Sequence, residues 1–549
     1  MQSESTSNHL SQNFANGDQW VQRLGHKVLL CLGLVLTGCA VQTQAGTIRV
    51  PAGGNFQAAL NQARPGDFIQ LQAGASYEGN FNLPNKPGSG YITIESSALS
   101  SLPPENVRAN PSYAQFMPKL VSPNVGPVIS AKNGAHHFRF IGIEFHPAAG
   151  KWEYNLVSLG TGQETSLSQL PHDFVFDRDY VHGDPKAGSI RGIALNAGSV
   201  TVENSYISGI AIVGQDTQAL CGWNGPGPYN IINNYLEASG ENVMFGGARA
   251  FIPNVIPSDI VIRHNYFFKP LSWKIGSPGY AGTPWTVKNL LEFKSGQRIT
   301  IDGNIFENCW GQAQHGSVIL FTPRTIHGQN EWTEDEDITV THNIIRHAVG
   351  GIDIGGTDDT DPQKGVMRIH RILIKNNLLY DLNGQEWGNR RNPQDWLFLF
   401  AEGSNAVTID HNTGFSTWFL MSAGGDWAPN SNFTFTNNIA LRGKYGVFGS
   451  GTGEGKATMA KYFPEAVFKG NVLVGASSAA FPPGNFYPGS LSALRFQDLK
   501  HGELSLLPRS PYFHTSTDGK PAGADIPEVL SATAGVVDGN YPHGISTTQ

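Results

Sequence analysis

Along the middle of the chain, short runs that alternate β-branched and polar residues each end in an asparagine. An apolar residue or pair follows most of them. The pattern reads Thr-Val-Glu-Asn204-Ser-Tyr, Ile-Ile-Asn-Asn234-Tyr-Leu, Ile-Arg-His-Asn265-Tyr-Phe, Ile-Asp-Gly-Asn304-Ile-Phe and Val-Thr-His-Asn343-Ile-Ile. It continues through Asn377, Asn412, Asn438 and Asn471, at intervals of 26 to 39 residues. Phe138–Phe145 and Phe174–Tyr180 have the same strand–turn–strand form without the asparagine. Alternation with a period of two predicts strands with one buried face. A propeller would need four strands in about 40–45 residues and a more even period. The repeat instead predicts an all-β chain wound as a single-stranded parallel β-helix over about residues 46–500. Each repeat is then one coil, stacked at about 4.8 Å on the next. Asparagine tolerates the left-handed geometry of a tight turn. Inward-pointing amides would bond from coil to coil and satisfy one another.

The flanks fit that reading. Asn55 precedes Phe56–Ala63, an amphipathic run with an N-cap signal, and Arg64-Pro65-Gly66-Asp67 turns into the strand Phe68–Leu71. Such a helix would plug the first coil and hide an open strand edge. After Asn471 the pattern fades, and residues 501–549 read as an irregular tail packed on or extending from the helix. The longest intervals insert Phe268–Val287 and Trp310–Asp335.

Composition narrows the class. There are 65 glycines among 549 residues and only 15% charged residues, which argues against a helical bundle. Net charge is −7 without a basic run, so nucleic acid is not an expected partner. Of four cysteines, Cys221 and Cys309 lie outside the leader and show no metal-ligand spacing. Two isolated buried thiols are the favoured reading, a single disulfide the other.

Residues 1–38 read as a leader. Arg23, His26 and Lys27 precede an apolar run too short to span a membrane, and Leu36-Thr37-Gly38-Cys39 follows. That tetrad resembles the bacterial lipobox, which implies acylation of Cys39, a short tether over 39–45 and an extracytoplasmic, membrane-anchored monomer. Cleavage after Ala40 or Ala45 for plain secretion is the alternative.

The cap, the Pro-Gly-Asp entry, the asparagine repeat and the tail resemble bacterial right-handed parallel β-helix proteins of the pectate-lyase-like superfamily. The resemblance implies a polysaccharide partner. The stretch Leu290–Phe306 with Gly316–Arg324 resembles polysaccharide lyase family six, the alginate and chondroitin lyases. That likeness implies β-elimination on a uronate-containing glycan. Lys294 takes the place of the base, Arg324 approximates the carboxylate-neutralising arginine, and His315 is a reserve acid or base. Val287 and Asn289 stand where that family carries paired calcium-holding carboxylates.

Other residues offer alternatives. Eight tryptophans lie between 273 and 427, and Trp285, Trp310, Trp332 and Trp387 are the candidate sugar platforms. Asp353, Asp358, Asp359 and Asp361 cluster in one segment, which suits calcium or a paired-carboxylate hydrolase. His264, His342 and His411 each precede a repeat asparagine and read as structural. Three function classes follow: lyase, glycoside hydrolase on the same scaffold, or non-catalytic glycan-binding lipoprotein. Both enzyme readings place the site on the coils around 285–360.

Overall fold

The computed structural model describes residues 45–358, 360–361, 365–388 and 393–542. The leader with Cys39 and the candidate ligand Asp359 lie outside the described residues. From Phe68–Leu71 to Val472–Val474 the strands visit three sheets in strict rotation, and Thr47–Val50 adds a further strand to the first. Sheet one has 14 strands, from Thr47–Val50 to Val467–Lys469. Sheet two has 13, from Ser76–Glu78 to Val472–Val474, and sheet three has 12, from Phe81–Leu83 to Gly446–Gly449. Each strand pairs in parallel with its counterpart one coil away, as Ile299 pairs with Ile338 and Ile338 with Ile372. This is the predicted parallel β-helix, wound in the right-handed sense that parallel crossovers take in L-polypeptides.

Alternation sends one side chain of each pair inward. Ile299, Ile301, Phe306, Leu291 and Phe293 from successive coil segments are all buried in one continuous core. Like residues stack along the axis: Phe245 on Phe293 at 5.6 Å, and Phe293 on Phe321 at 6.0 Å. The helix Phe56–Gln62 closes the first coil, with Asn55 Oδ1 accepting from the Ala58 amide at 2.9 Å. At the other end Met459, Tyr462 and Phe463, on or just after the helix Lys456–Tyr462, join the same core with Phe481.

The asparagines form a buried spine at the turn from sheet one to sheet two. Asn304 Oδ1 accepts the Asn265 amide at 2.8 Å and Asn265 Nδ2 at 3.1 Å. Asn304 in turn donates to Asn343 Oδ1 from its amide at 2.9 Å and its Nδ2 at 3.0 Å. The same link repeats from Asn234 to Asn485, one residue beyond the predicted repeat. Asn204 is a correction. It stands one position early, at φ +51°, and Ser205 and Asp179 continue the spine instead. Left-handed geometry falls on the residue before each spine asparagine, as at His264 (φ +55°) and His342 (φ +54°), not on the asparagine itself. The left-handed residue turns the corner, which leaves the asparagine free to aim its amide along the axis.

The coils end at Val474 rather than near residue 500, and the tail runs back over them. The Gly523 amide donates to Asn437 O at 2.7 Å, and Asn376 Nδ2 donates to Glu528 Oε2 at 2.9 Å. His264 Nε2 meets Ala534 O at 2.8 Å, and Asn233 Nδ2 donates to Gly539 O at 3.2 Å. His342 Nε2 lies 3.4 Å from Glu528 Oε1 and His411 Nδ1 3.1 Å from Gly523 O, so all three turn histidines fasten the tail, the structural role read from their repetition. Ile526, Val529 and Val536 cover the outward column Tyr235, Tyr266, Ile305 and Ile344 of sheet two. Cys221 and Cys309 are buried free thiols. No helix among the described residues is long and apolar enough to cross a membrane.

Candidate active site on the third sheet

With the tail over sheet two, sheet three presents outward columns set by strand register. Gln218 pairs with Glu241 in one column. In the next column Cys221, Met244, Glu292, Leu320, Asp353 and Leu399 follow one another across consecutive coils. Three carboxylates thus share one face. Glu292 and Asp353 are separated by Leu320 alone, two strand spacings or about 9–10 Å between backbones.

Each carboxyl has a distinct environment. Ser317 Oγ donates to Asp353 Oδ2 and Trp396 Nε1 to Oδ1, both at 2.8 Å. Burial, with the charge of Glu292 adding to it, raises the Asp353 pKa to about 7 despite those two donors. Glu292 is buried. Its Oε1 pairs with Lys294 Nζ at 3.1 Å and accepts from Thr322 Oγ1 at 3.0 Å, while Oε2 has no hydrogen-bond partner among the described residues. Glu241 is wholly buried. Gln218 Nε2 donates to its Oε2 at 2.8 Å, and Lys288 Nζ lies 3.4 Å from Oε1. Burial and the neighbouring Glu292 push its pKa up. Asn289 is also buried, with neither amide atom hydrogen-bonded among the described residues. Asp335, buried at the start of the adjoining sheet-one strand, is raised by burial and again by Glu292.

The cations of this face are already engaged. Lys288 pairs with Asp216 at 2.5 Å as well as with Glu241. Arg191 Nε donates to Gln218 Oε1 at 3.0 Å and its guanidinium lies over the Tyr154 and Trp223 rings. Lys294 is tied to Glu292, and its stem crosses two left-handed glycines. A Cβ at Gly246 would come within 3.0 Å of Lys294 Cβ, and one at Gly247 within 3.3 Å of its Cδ.

The structure brings together part of the predicted set. The Arg324 amide donates to Lys294 O at 3.0 Å, so these two stand on adjacent coils as expected. His315 lies at the opposite end of the strand Ser317–Phe321, about 16 Å along the sheet. There it borders a cavity of about 320 Å³ with Gln312, Gln314, Gln394 and Trp396. Trp310 and Trp332 are likewise on opposite edges. Trp310 and Trp387 are buried with Val287, Val349, Trp396 and Phe419, and Trp285 is buried at 7% exposure, so none of the three is an open platform. Trp332 packs on Ala250, Ile252 and Val255 and donates to Val255 O at 3.0 Å. Asp358 staples a loop instead of facing Asp353. Its Oδ2 takes the Thr325 amide and hydroxyl, and its Oδ1 the Thr360 amide and hydroxyl. Asp361 is paired with Arg368.

Glu292, Glu241, Ser317 and Trp396 had no assigned role in the sequence. A weak signal existed for Glu292: a lone carboxylate between the inward residues Leu291 and Phe293 must point out of the coil. Its importance depends on what adjacent coils place beside it.

No family model and no curated protein sequence matches the chain. Among solved structures the chain is similar to the catalytic unit of a thermostable GH87 α-1,3-glucanase from Streptomyces thermodiastaticus strain HF3-3. The TM-score is 0.49 at 15% identity, over 82% of this chain and 71% of that one. It is also similar to a mannuronic acid-specific polysaccharide family 6 lyase from human gut microbiota, with TM-score 0.40 and 13% identity over 81% of this chain and 92% of that one. A pectate lyase gives TM-score 0.35 and 12% identity over 86% and 92% of the two chains.

Proposed function

We propose that this chain is a polysaccharide-cleaving enzyme that works on the outer face of sheet three as a glycoside hydrolase. The observation that carries the reading is the Asp353 carboxyl, held by Ser317 and Trp396 in a setting whose burial pushes its pKa up to about 7. A general acid is most effective with a pKa near the working pH. Asp353 would protonate the leaving glycosidic oxygen. Glu292, whose Oε2 has no hydrogen-bond partner among the described residues, would take a proton from the attacking water. The oxocarbenium-like transition state gains from Glu241 and Glu292 together. Inverting hydrolases hold their carboxyls about 6.5–9.5 Å apart to admit that water, the scale set by one intervening strand.

The β-elimination reading, with Lys294 as base and Arg324 beside it, draws on the adjacency of those residues. Against it stands the Lys294–Glu292 pair, because a paired ammonium must give up both proton and partner before it accepts another proton. Lys288 and Arg191 are committed to protein partners too, which leaves them poorly placed to neutralise a uronate. The leader tetrad ending at Cys39 supports an extracytoplasmic lipoprotein, and Cys39→Ser is expected to release the chain from membranes.

A screen of neutral and acidic glycans tests the assignment. It should read reducing ends alongside the absorbance of unsaturated products, in the wild type, Asp353→Asn and Lys294→Ala. Hydrolysis predicts new reducing ends without unsaturation, lost with Asp353. Unsaturated products lost with Lys294 would replace it by the lyase. Binding without cleavage would leave a glycan-binding protein.

A further inference from the structure

Three imidazoles meet on the outer face of sheet one, away from the carboxylates. His136 and His172 are register partners on adjacent coils, with rings stacked at 4.7 Å and 3°. His137 follows at φ +58°, and that left-handed turn sets its ring across both, at 80° to His136 and 82° to His172. One nitrogen from each ring lies within 4.8 Å of the other two. His136 Nδ1 and His137 Nδ1 are 2.7 Å apart. Two bare lone pairs repel at that distance, so the contact calls for a proton on one of them or a cation held by both.

The surroundings are those of a ligand set. Asp173 Oδ2 bonds His172 Nδ1 at 2.7 Å and lies 3.6 Å from His137 Nε2. A carboxylate behind an imidazole fixes its orientation and raises its basicity as a metal ligand. Asp173 is itself left-handed, at φ +60°, the corner conformation that recurs at this register in later coils, as at Ser199, Asp259 and Arg298. The nearby Arg139 is held over the Tyr91 ring at 5.5 Å. The His172 side chain is 43% exposed, which leaves an entry path.

We propose that His136, His137 and His172 form a binding site for a divalent transition metal of the zinc class, oriented by Asp173. Neutral imidazoles suit zinc, cobalt, nickel and copper far better than calcium or magnesium. The ion would tie the strand His136–Ile141 to the strand His172–Asp177, one coil above the other, and so stiffen the N-terminal end of the stack.

The full chain, stripped by a chelator, is titrated with Co²⁺ and followed by its visible d–d absorption. Zn²⁺ then competes, and the thermal midpoint is read with and without Zn²⁺. One Co²⁺ per chain with a nitrogen-ligand spectrum lacking thiolate charge transfer, displaced by Zn²⁺, is the expected result. The midpoint rises in Zn²⁺. The double variant His136→Gln/His172→Asn should lose the band and the Zn²⁺ shift while its metal-free midpoint stays put. If that variant does not fold, Asp173→Asn should weaken Co²⁺ binding by about tenfold or more. A wild type with neither band nor Zn²⁺ shift overturns the site. So does binding that persists in the double variant, or unaltered affinity in Asp173→Asn.

Discussion

Two arrays of buried polar side chains run along this β-helix, and they are opposites. In the spine each asparagine oxygen from Asn265 to Asn485 accepts two hydrogen bonds from the coil before it, Asn234 Oδ1 accepts the Ser205 amide, and each amide reaches a partner. On and beside sheet three, Glu292 Oε2 and both amide atoms of Asn289 lack hydrogen-bond partners among the described residues, and Glu241 Oε1 has only the Lys288 ion pair. Buried polar groups are normally satisfied, and each orphan costs about 1–3 kcal/mol. The same coil geometry therefore supports one array that stabilises the fold and another that carries a cost. The costly array also holds the carboxyl raised to about 7. Buried groups left wanting partners on one face suit a ligand or a transition state.

The largest effect expected from this contrast is in the spine. Asn304→Ala leaves the Asn265 amide without its acceptor, takes one acceptor from Asn265 Nδ2, and removes the Nδ2 donor to Ile262 O and one of the two donors to Asn343 Oδ1 in the core. With about 1–3 kcal/mol per orphan, a loss of roughly 4 kcal/mol is expected, read as a lower urea midpoint. A shift below about 1 kcal/mol would make the spine ornamental. Glu292→Gln should do the reverse. Turnover is expected to fall by about 100-fold or more, as for a lost acid–base partner, with stability held or improved. Equal losses of both would put Glu292 in the same class as the spine.

Much of the spine was legible because a strand of alternating polarity and an asparagine recur together. Its phase was less so. Asn204 and Asn233 sit in left-handed geometry while Asn234 sits in the spine, and in an Asn-Ser or Asn-Asn pair nothing local says which residue turns the corner. The face proposed for catalysis was legible only in place: Lys294, Arg324 and Asp353, singled out in the sequence, lie on or beside its strands. Glu292 and Asp353 are 61 positions apart in the sequence, and only the loop lengths of two coils bring them into one column. The tryptophans misled because their number says nothing about side: Trp310 and Trp387 roof an apolar cluster.

Smaller effects belong to the tail clasp. His342 Nδ1 bonds Asp302 Oδ1 at 2.8 Å, and that bond raises the histidine's pKa above its ordinary value, with Glu528 and Asp525 adding to it. Its contribution should be complete below the unfolded value near 6.5 and lost as pH rises through the raised folded value. The expected loss is no more than about 1 kcal/mol for so accessible a pair. The thermal midpoint should fall between pH 6 and 8 in the wild type by more than it does in His342→Asn. An identical fall in both would detach the histidine from the clasp.

The proposal turns on Asp353 as the proton donor of the outer face of sheet three. Its most direct test is the pH dependence of kcat/KM on whichever glycan is cleaved, in the wild type and in Asp353→Asn. An alkaline limb near pH 7 is expected, where Asp353 gives up its proton, together with a variant slowed by about 100-fold or more that has lost that limb. Wild-type turnover in Asp353→Asn, or an alkaline limb unmoved by the substitution, would contradict it.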